Sequence, residues 1–244
     1  MLMRSWTKYF NSILLPFDLR ISRASTSTRW QMSSLISRLR RSNVEFQSVI
    51  DVGAASGSWT QMVNREFPGC HFLAIEPIHE SFEVLRNKTR HLKNVNLCQS
   101  LVGKSDGDEV SFTLANDLDG SGVGLPGYST QKYKVRSLDS IVNEHQMIGP
   151  YLLKLDTHGF EIPILDGASG ILGQCAALII EAYNYEISPY SVYFWELCTI
   201  MHEKGFRPAD IADPSPRRLD QSFWQLDILF LPIDSPCFSS SKYE

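Results

Sequence analysis

The spacing of apolar residues changes period again and again along the chain. In WQMSSLISRLRRS (30–42), Met32, Leu35, Ile36 and Leu39 recur at helical intervals and predict a helix leading into the core. SVIDV (48–52) then reads as a buried strand. SGSWTQMVNREF (56–67) reads as a helix capped by Ser56 or Ser58 and stopped by Pro68 and Gly69. HFLAIEP (71–77) predicts a strand, HESFEVLRNKTRHL (79–92) a helix and NVNLCQSLV (94–102) a third strand. VSFTL (110–114) and YKVRSL (133–138) predict shorter antiparallel additions, followed by a helix over 138–146. YLLKLD (151–156) is a strand, 161–172 a helix, ALIIEA (177–182) a strand and 192–205 a helix. FRPADIA (206–212) and WQLDILFLP (224–232) close the chain as an antiparallel hairpin at or near a sheet edge.

Alternating strands and helices predict an α/β fold of Rossmann-like type: a mostly parallel seven-stranded sheet, helices on both faces and an antiparallel C-terminal hairpin. The expected organisation is a basic arm and leading helix over 1–42, then one domain over 43–244. Segment 115–131 stands apart. It is rich in Gly and Ser without an apolar period, and it predicts a long loop able to act as a lid.

Composition changes this picture little, but charge does. The net charge of -4 conceals an N-terminal stretch, 1–43, with Arg4, Lys8, Arg20, Arg23, Arg29, Arg38, Arg40 and Arg41 against Asp18 alone. The body is correspondingly acidic. The arm can face solvent or make peripheral contact with a membrane surface, whereas an acidic body disfavours tracking a phosphate backbone, so no nucleic-acid partner is expected. No Asn/Asp-Pro-Pro-aromatic motif for base amines is present. The apolar runs are too short to span a bilayer, and the opening residues make a poor signal peptide. The five cysteines are scattered without Cys-x-x-Cys spacing, as expected of reduced thiols in a cytoplasmic protein.

The chemistry gathers where the strands end. VIDVGAASGSW breaks a strand into small residues and restarts as a helix, which brings backbone close to a ligand. It is not a phosphate loop, because Gly57 is followed by Ser58 and Trp59 rather than Lys and Ser/Thr. It also lacks the first glycine pair of a dinucleotide fingerprint. The strand ends carry Asp51, Glu76, Asp106, Asp156 and Glu181, a rim suited to a cationic, phosphate-free ligand such as S-adenosylmethionine. Glu76 lies about 20 residues past the turn, where it can accept hydrogen bonds from a ribose diol; alone, it could equally cap the next helix. Asp51, Gly53, Ala54, Ala55, Gly57, Trp59, Glu76, Pro77, Asp106 and Asp156 are the candidate cofactor residues, although Trp59 and Phe160 also suit packing. Lys154 is expected to be buried and paired with a rim carboxylate.

At these residues the chain resembles the FkbM-type methyltransferases, with the class I methyltransferase fold. VIDVGAASGSW, AIEPIHESFEVLRNK, LVGKSDGDEVSF, VRSLDSIV, LLKLDTHGFEIPILDGA, ALIIEA and WQLDILFL follow in family order. The most specific piece carries Lys154, Asp156, Gly159, Glu161, Leu165, Gly167 and Ala168. Ala55 stands where the family usually has Asn, and His158 where it commonly has Glu or Gln. Residues 1–34 lie outside the resemblance.

The resemblance implies S-adenosylmethionine as cofactor and methyl transfer to hydroxyl oxygens of sugars or small natural products. An alcohol reacts better once its proton leaves, so a base is expected. Asp156, His158 and Glu181 are the catalytic candidates, and the imidazole is the residue type that ordinarily titrates nearest neutrality. Glu161 opens a helix and suits a structural role as well. No metal-ligand spacing is present, so no metal is assigned, although Asp156, His158 and Glu181 converge. Asp117, Asp119 and Tyr128 of the lid, and Arg217 and Arg218 beyond it, are candidate acceptor contacts. The expected acceptor is a sugar or glycan precursor. The alternatives are a small secondary metabolite, or an idle cofactor-binding scaffold.

Overall fold

In the large sheet β1 (Ser48–Val52) occupies a central place, paired in parallel with β2 (His71–Ile75) on one side and β8 (Tyr151–Leu155) on the other. The computed structural model describes residues 28–115, 118, 120–126 and 129–242. The readings for the arm (Arg4, Lys8, Asp18, Arg20, Arg23) and for Asp117, Asp119 and Tyr128 lie outside these residues. From β2 the sheet continues to β3 (Val95–Cys98), and from β8 to β9 (Cys175–Tyr183), both in parallel. Antiparallel β11 (Phe223–Pro232) and β10 (Phe206–Pro216) complete the order β10-β11-β9-β8-β1-β2-β3. The chain therefore runs outward from β1 in one direction and from β8 in the other. Their boundary is the switch point, where open α/β sheets hold ligands at the carboxyl ends of the strands.

The central strands are buried on both faces, and their alternation sorts side chains into two layers. Ile50, Val52, Leu73, Ile75, Leu153 and Leu155 belong to one core cluster. That cluster includes residues of α4 (Leu138–Glu144), α5 (Glu161–Asp166), α6 (Ser169–Leu172) and α7 (Phe194–Glu203). Val49, Phe72, Leu152 and Ile179 belong to the other, with α1 (Met32–Arg41) and α2 (Ser58–Glu66). Met32, Leu35, Ile36 and Leu39 of α1 are all buried, as their spacing predicts. The helix is tied to β10 by Arg38 Nε donating to Asp210 at 2.6 Å. The third helix, α3 (His79–Thr89), rests Leu85 against Ala54 and Ala74.

Four expectations need correction. The strand expected over 94–102 divides after Cys98: β4 (Leu101–Gly103) leaves the large sheet and pairs in parallel with β7 (Ser129–Ser137). β7 starts within the expected lid and pairs antiparallel with β5 (Glu109–Leu114). β6 (Gly122–Val123) adds to β5, so part of the expected structureless loop is strand in a second sheet ordered β4-β7-β5-β6. The helix expected over 161–172 breaks at Gly167, where an added Cβ would lie 2.0 Å from the Gly103 carbonyl oxygen. Finally, neither Ser56 nor Ser58 caps α2: the N-cap is Gly57, without a side-chain cap, and the two serine hydroxyls bond each other.

The switch point depends on a close backbone approach. Asp156 N–H donates to the Val52 carbonyl at 3.1 Å. Gly53, at φ +79°, would place a Cβ 2.0 Å from the Asp156 carbonyl oxygen. No side chain fits there without moving β8 away from β1. At Gly69 an added Cβ meets nothing within 4 Å. Gly53→Ala is thus expected to cost more than about 2 kcal/mol, while Gly69→Ala stays within about 1 kcal/mol of the parent. Urea unfolding of both variants checks this, and equal losses would contradict it.

Candidate functional site

The switch point opens into a cavity of about 310 Å3. Its floor is the turn after β1, its sides are the ends of β2 and β8, and its cover comes from the small sheet through Phe112, Ser121, Gly122 and Val123. Of the residues singled out in the sequence, Gly53, Ala55, Glu76, Pro77, Asp156 and His158 line it.

Glu76 is buried at 4% exposure. Its Oε2 accepts from the Ala55 N–H at 2.8 Å and its Oε1 from the Ile78 N–H at 2.9 Å. It thus braces the glycine turn against the start of α3. Each oxygen keeps a further lone pair for a ligand hydroxyl. Burial pushes the carboxyl up to about 7 despite both N–H donors. Ala55 sits at φ +45°, in the left-handed region that Asn tolerates better than Ala.

Asp156, His158 and Glu181 meet at one end of the cavity. Asp156 Oδ2 accepts from buried Lys154. Burial alone would raise Asp156, but Lys154 and His158 outweigh it and hold the carboxyl below its ordinary range. Asp156 and Asp51 in turn raise Lys154 against the effect of its own burial. His158 Nε2 lies 3.9 Å from Asp156 Oδ1 and 3.8 Å from Glu181 Oε2, and its Nδ1 is 3.2 Å from the Ser121 carbonyl oxygen. Glu181 itself sits behind the lining. It accepts from Tyr183 OH and, at 2.6 Å, from Gln225 Nε2. Burial and the neighbouring Asp156 push it well above the carboxylate range. Glu161 braces the loop beneath, accepting from Thr157 N–H, Thr157 Oγ1 and Gly159 N–H at 3.0–3.2 Å. That loop holds His158 at φ +54°. The structural reading of Glu161 is the one its contacts support.

Other candidates stand elsewhere. Asp51 points to the face of β1 opposite the cavity, where Oδ2 accepts from Thr60 at 2.6 Å and buried Oδ1 has no partner among the described residues. Burial raises its carboxyl. Trp59 is on that same side, with Lys154 Nζ 5.5 Å from its ring centre. Ala54 and Gly57 contact Leu85 of α3. Asp106 does not reach the cavity: it accepts from Ser137 N–H and Ser140 Oγ at the start of α4, because the chain leaves the large sheet after Cys98. Those bonds hold its carboxyl low. Arg217 lies over Tyr185 and 3.7 Å from Asp220. The sequence reading missed Ser100, Leu101 and Val102, which line the cavity. The polar pair Gln99–Ser100 inside an apolar run was the available signal.

A sheet switching direction at a glycine turn, with a buried acid just after the second strand, is the Rossmann-like arrangement that holds nucleoside cofactors. Residues 51–208 match the Methyltransferase FkbM domain, well over half of the chain. The chain therefore belongs to the FkbM methyltransferase family, and its cofactor is S-adenosylmethionine. No curated protein matches it significantly in sequence. Solved structures similar to it include an uncharacterized protein from Listeria monocytogenes serotype 4b, at 11% identity over 84% of this chain and 70% of that one, TM-score 0.48. They also include the N-methyltransferase NodS from Bradyrhizobium japonicum WM9, at 10% identity over 82% and 93%, TM-score 0.48. A SAM-dependent methyltransferase from Aquifex aeolicus gives 14% identity over 87% and 100%, TM-score 0.44. Among the described residues no helix is long and apolar enough to cross a membrane.

The cavity suits that cofactor. Glu76 offers paired acceptors for a diol, Leu101, Val102 and Phe112 offer an apolar wall, and the carboxylates favour a cation over a phosphate.

The raised Glu76 carboxyl has a consequence for stability. Below its ordinary 4.5 it is protonated in both folded and unfolded chains; as pH rises to about 7 only the unfolded chain ionises, so the stabilisation held at low pH is lost. In ligand-free protein the melting temperature of Glu76→Gln is expected to fall less than that of the parent between pH 4.5 and 7.5. Parallel curves would contradict the assignment.

Proposed function

We propose that the chain transfers a methyl group from S-adenosylmethionine to a hydroxyl oxygen, with a sugar or glycan precursor as the acceptor. The observation that carries this reading is the Asp156–His158–Glu181 cluster at the end of the cavity, a place for an alcohol proton to go. When bound, the cofactor supplies an electrophilic methyl group on a sulfonium. Glu76 accepts the ribose hydroxyls, and the small residues of the turn leave room for the nucleoside.

The protein's remaining work is alignment and proton removal. The cavity walls bring the acceptor oxygen to roughly 3–3.5 Å from the methyl carbon, in line with the bond to sulfur. His158 lines the cavity and removes the hydroxyl proton as the oxygen–carbon bond forms; the electron pair of the breaking bond remains on sulfur. Asp156, held ionised beside Lys154, stabilises the charge that develops on the imidazole. A polyhydroxylated acceptor fits a wall rich in hydrogen-bond acceptors. Phe160 adds an aromatic side chain to the cavity wall.

The test is incubation of purified protein with methyl-labelled S-adenosylmethionine and fractionated cell extract. Label is expected in glycan or nucleotide-sugar fractions, and His158→Ala is expected to lower turnover by about 100-fold or more with cofactor affinity nearly unchanged. Label in small apolar metabolites would move the acceptor to that class. Cofactor binding without label in any fraction would contradict the reading.

A further inference from the structure

Three side chains meet in the cluster, with Glu181 hydrogen-bonded to Asp156 and His158 hydrogen-bonded to neither. His158 Nε2 stands 3.9 Å from Asp156 Oδ1 and 3.8 Å from Glu181 Oε2, and one ligand atom from each residue lies within 4.8 Å of the others. The two histidine separations are too long for hydrogen bonds. They suit a shared cation, because ligands about 2.0–2.3 Å from one ion stand about 3–4.5 Å apart.

The surrounding contacts orient these atoms. Asp156 Oδ2 is held by Lys154, and Glu181 Oε1 is held by Gln225 Nε2 at 2.6 Å. Tyr183 OH donates to Glu181 Oε2 and leaves it a lone pair. His158 Nδ1 lies 3.2 Å from the Ser121 carbonyl oxygen. A proton on Nδ1 satisfies that contact and turns the Nε2 lone pair toward the two carboxylates. This is how protein metal sites fix an imidazole ligand, with its second nitrogen donating to a carbonyl and the ligating carboxylates themselves hydrogen-bonded.

We propose that Asp156, His158 and Glu181 hold a divalent cation, with its open coordination positions toward the cavity. One imidazole and two carboxylates, with no thiolate, suit a borderline ion such as Mn2+ or Zn2+. Asp156 and His158 line the cavity and Glu181 closes the site from behind, so an acceptor oxygen can complete the coordination. The proposal deepens the O-methyl transfer reading and rests on it for the ion's role: a bound hydroxyl loses its proton more readily, and His158 then serves as ligand rather than base. Ion binding itself does not depend on that reading.

The test uses the full chain, freed of metal by chelation and dialysis. It is titrated with Mn2+ without cofactor or acceptor, and free Mn2+ is read by electron paramagnetic resonance. One saturable site per chain is expected, weakened at least about tenfold in His158→Ala and in Glu181→Gln, and unchanged in the exposed control Glu144→Gln. Circular dichroism of each variant separates lost binding from lost folding. Absence of a saturable site in the parent, or equal binding in folded His158→Ala and Glu181→Gln, overturns the proposal. Methyl transfer that persists in chelator, without Mn2+ binding, also overturns it and leaves His158 as base. Mn2+ binding at these residues without methyl transfer upholds the site while contradicting the acceptor reading.

Discussion

The backbone contact between the turns after β1 and β8 sets the geometry on which the cavity depends. The Asp156 N–H, donating to the Val52 carbonyl, carries the β1–β8 pairing on to the switch point. Gly53 leaves the Asp156 carbonyl the space that any Cβ would take. The two turns can therefore lie side by side, with Glu76 approaching from β2 and His158 from β8. A wider separation would divide the cofactor side of the cavity from the Asp156–His158 side. The central strands, buried on both faces, hold this approach rigidly because neither layer of side chains can shift without disturbing a packed cluster.

Charge is the second constraint. The sheet edge collects carboxylates and withdraws most of them from water. The resulting costs are met in different ways. Glu76 takes two backbone N–H groups, Glu161 takes two and a hydroxyl, and Asp156 takes Lys154. Glu181 takes a phenol and an amide while facing an imidazole. Glu76 and Glu161 brace turns, while Asp156, held ionised beside Lys154, gives the rim its negative character. This fits a cofactor carrying a sulfonium and an ammonium better than one carrying phosphates.

Much of this was legible in the sequence where the information is local. The change from strand period to helical period around VIDVGAASGSW marks the first unit, and the spacing to Glu76 identifies a side chain that enters the cavity. The four apolar residues of α1 mark its buried face directly. What was not legible depends on long-range pairing. The run 94–102 has the pattern of one strand, and nothing local says that Leu101 pairs with Val135 in another sheet. That departure carries Asp106 away from the cavity and brings Ser100, Leu101 and Val102 to it. Strand alternation could have sent Asp51 to the opposite face, since its neighbours Ile50 and Val52 share the cavity side. The left-handed conformations of Ala55 and His158 were beyond local reading, because neither residue type requires them.

The central claim is that the nucleoside cofactor lies across the switch point, held by Glu76 and directed at the Asp156–His158 end. A crystal structure with S-adenosylhomocysteine tests this most directly. The account predicts both ribose hydroxyls within hydrogen-bond distance of the Glu76 carboxylate and the sulfur facing His158. A ribose remote from Glu76, or a sulfur turned away from Asp156 and His158, would contradict it.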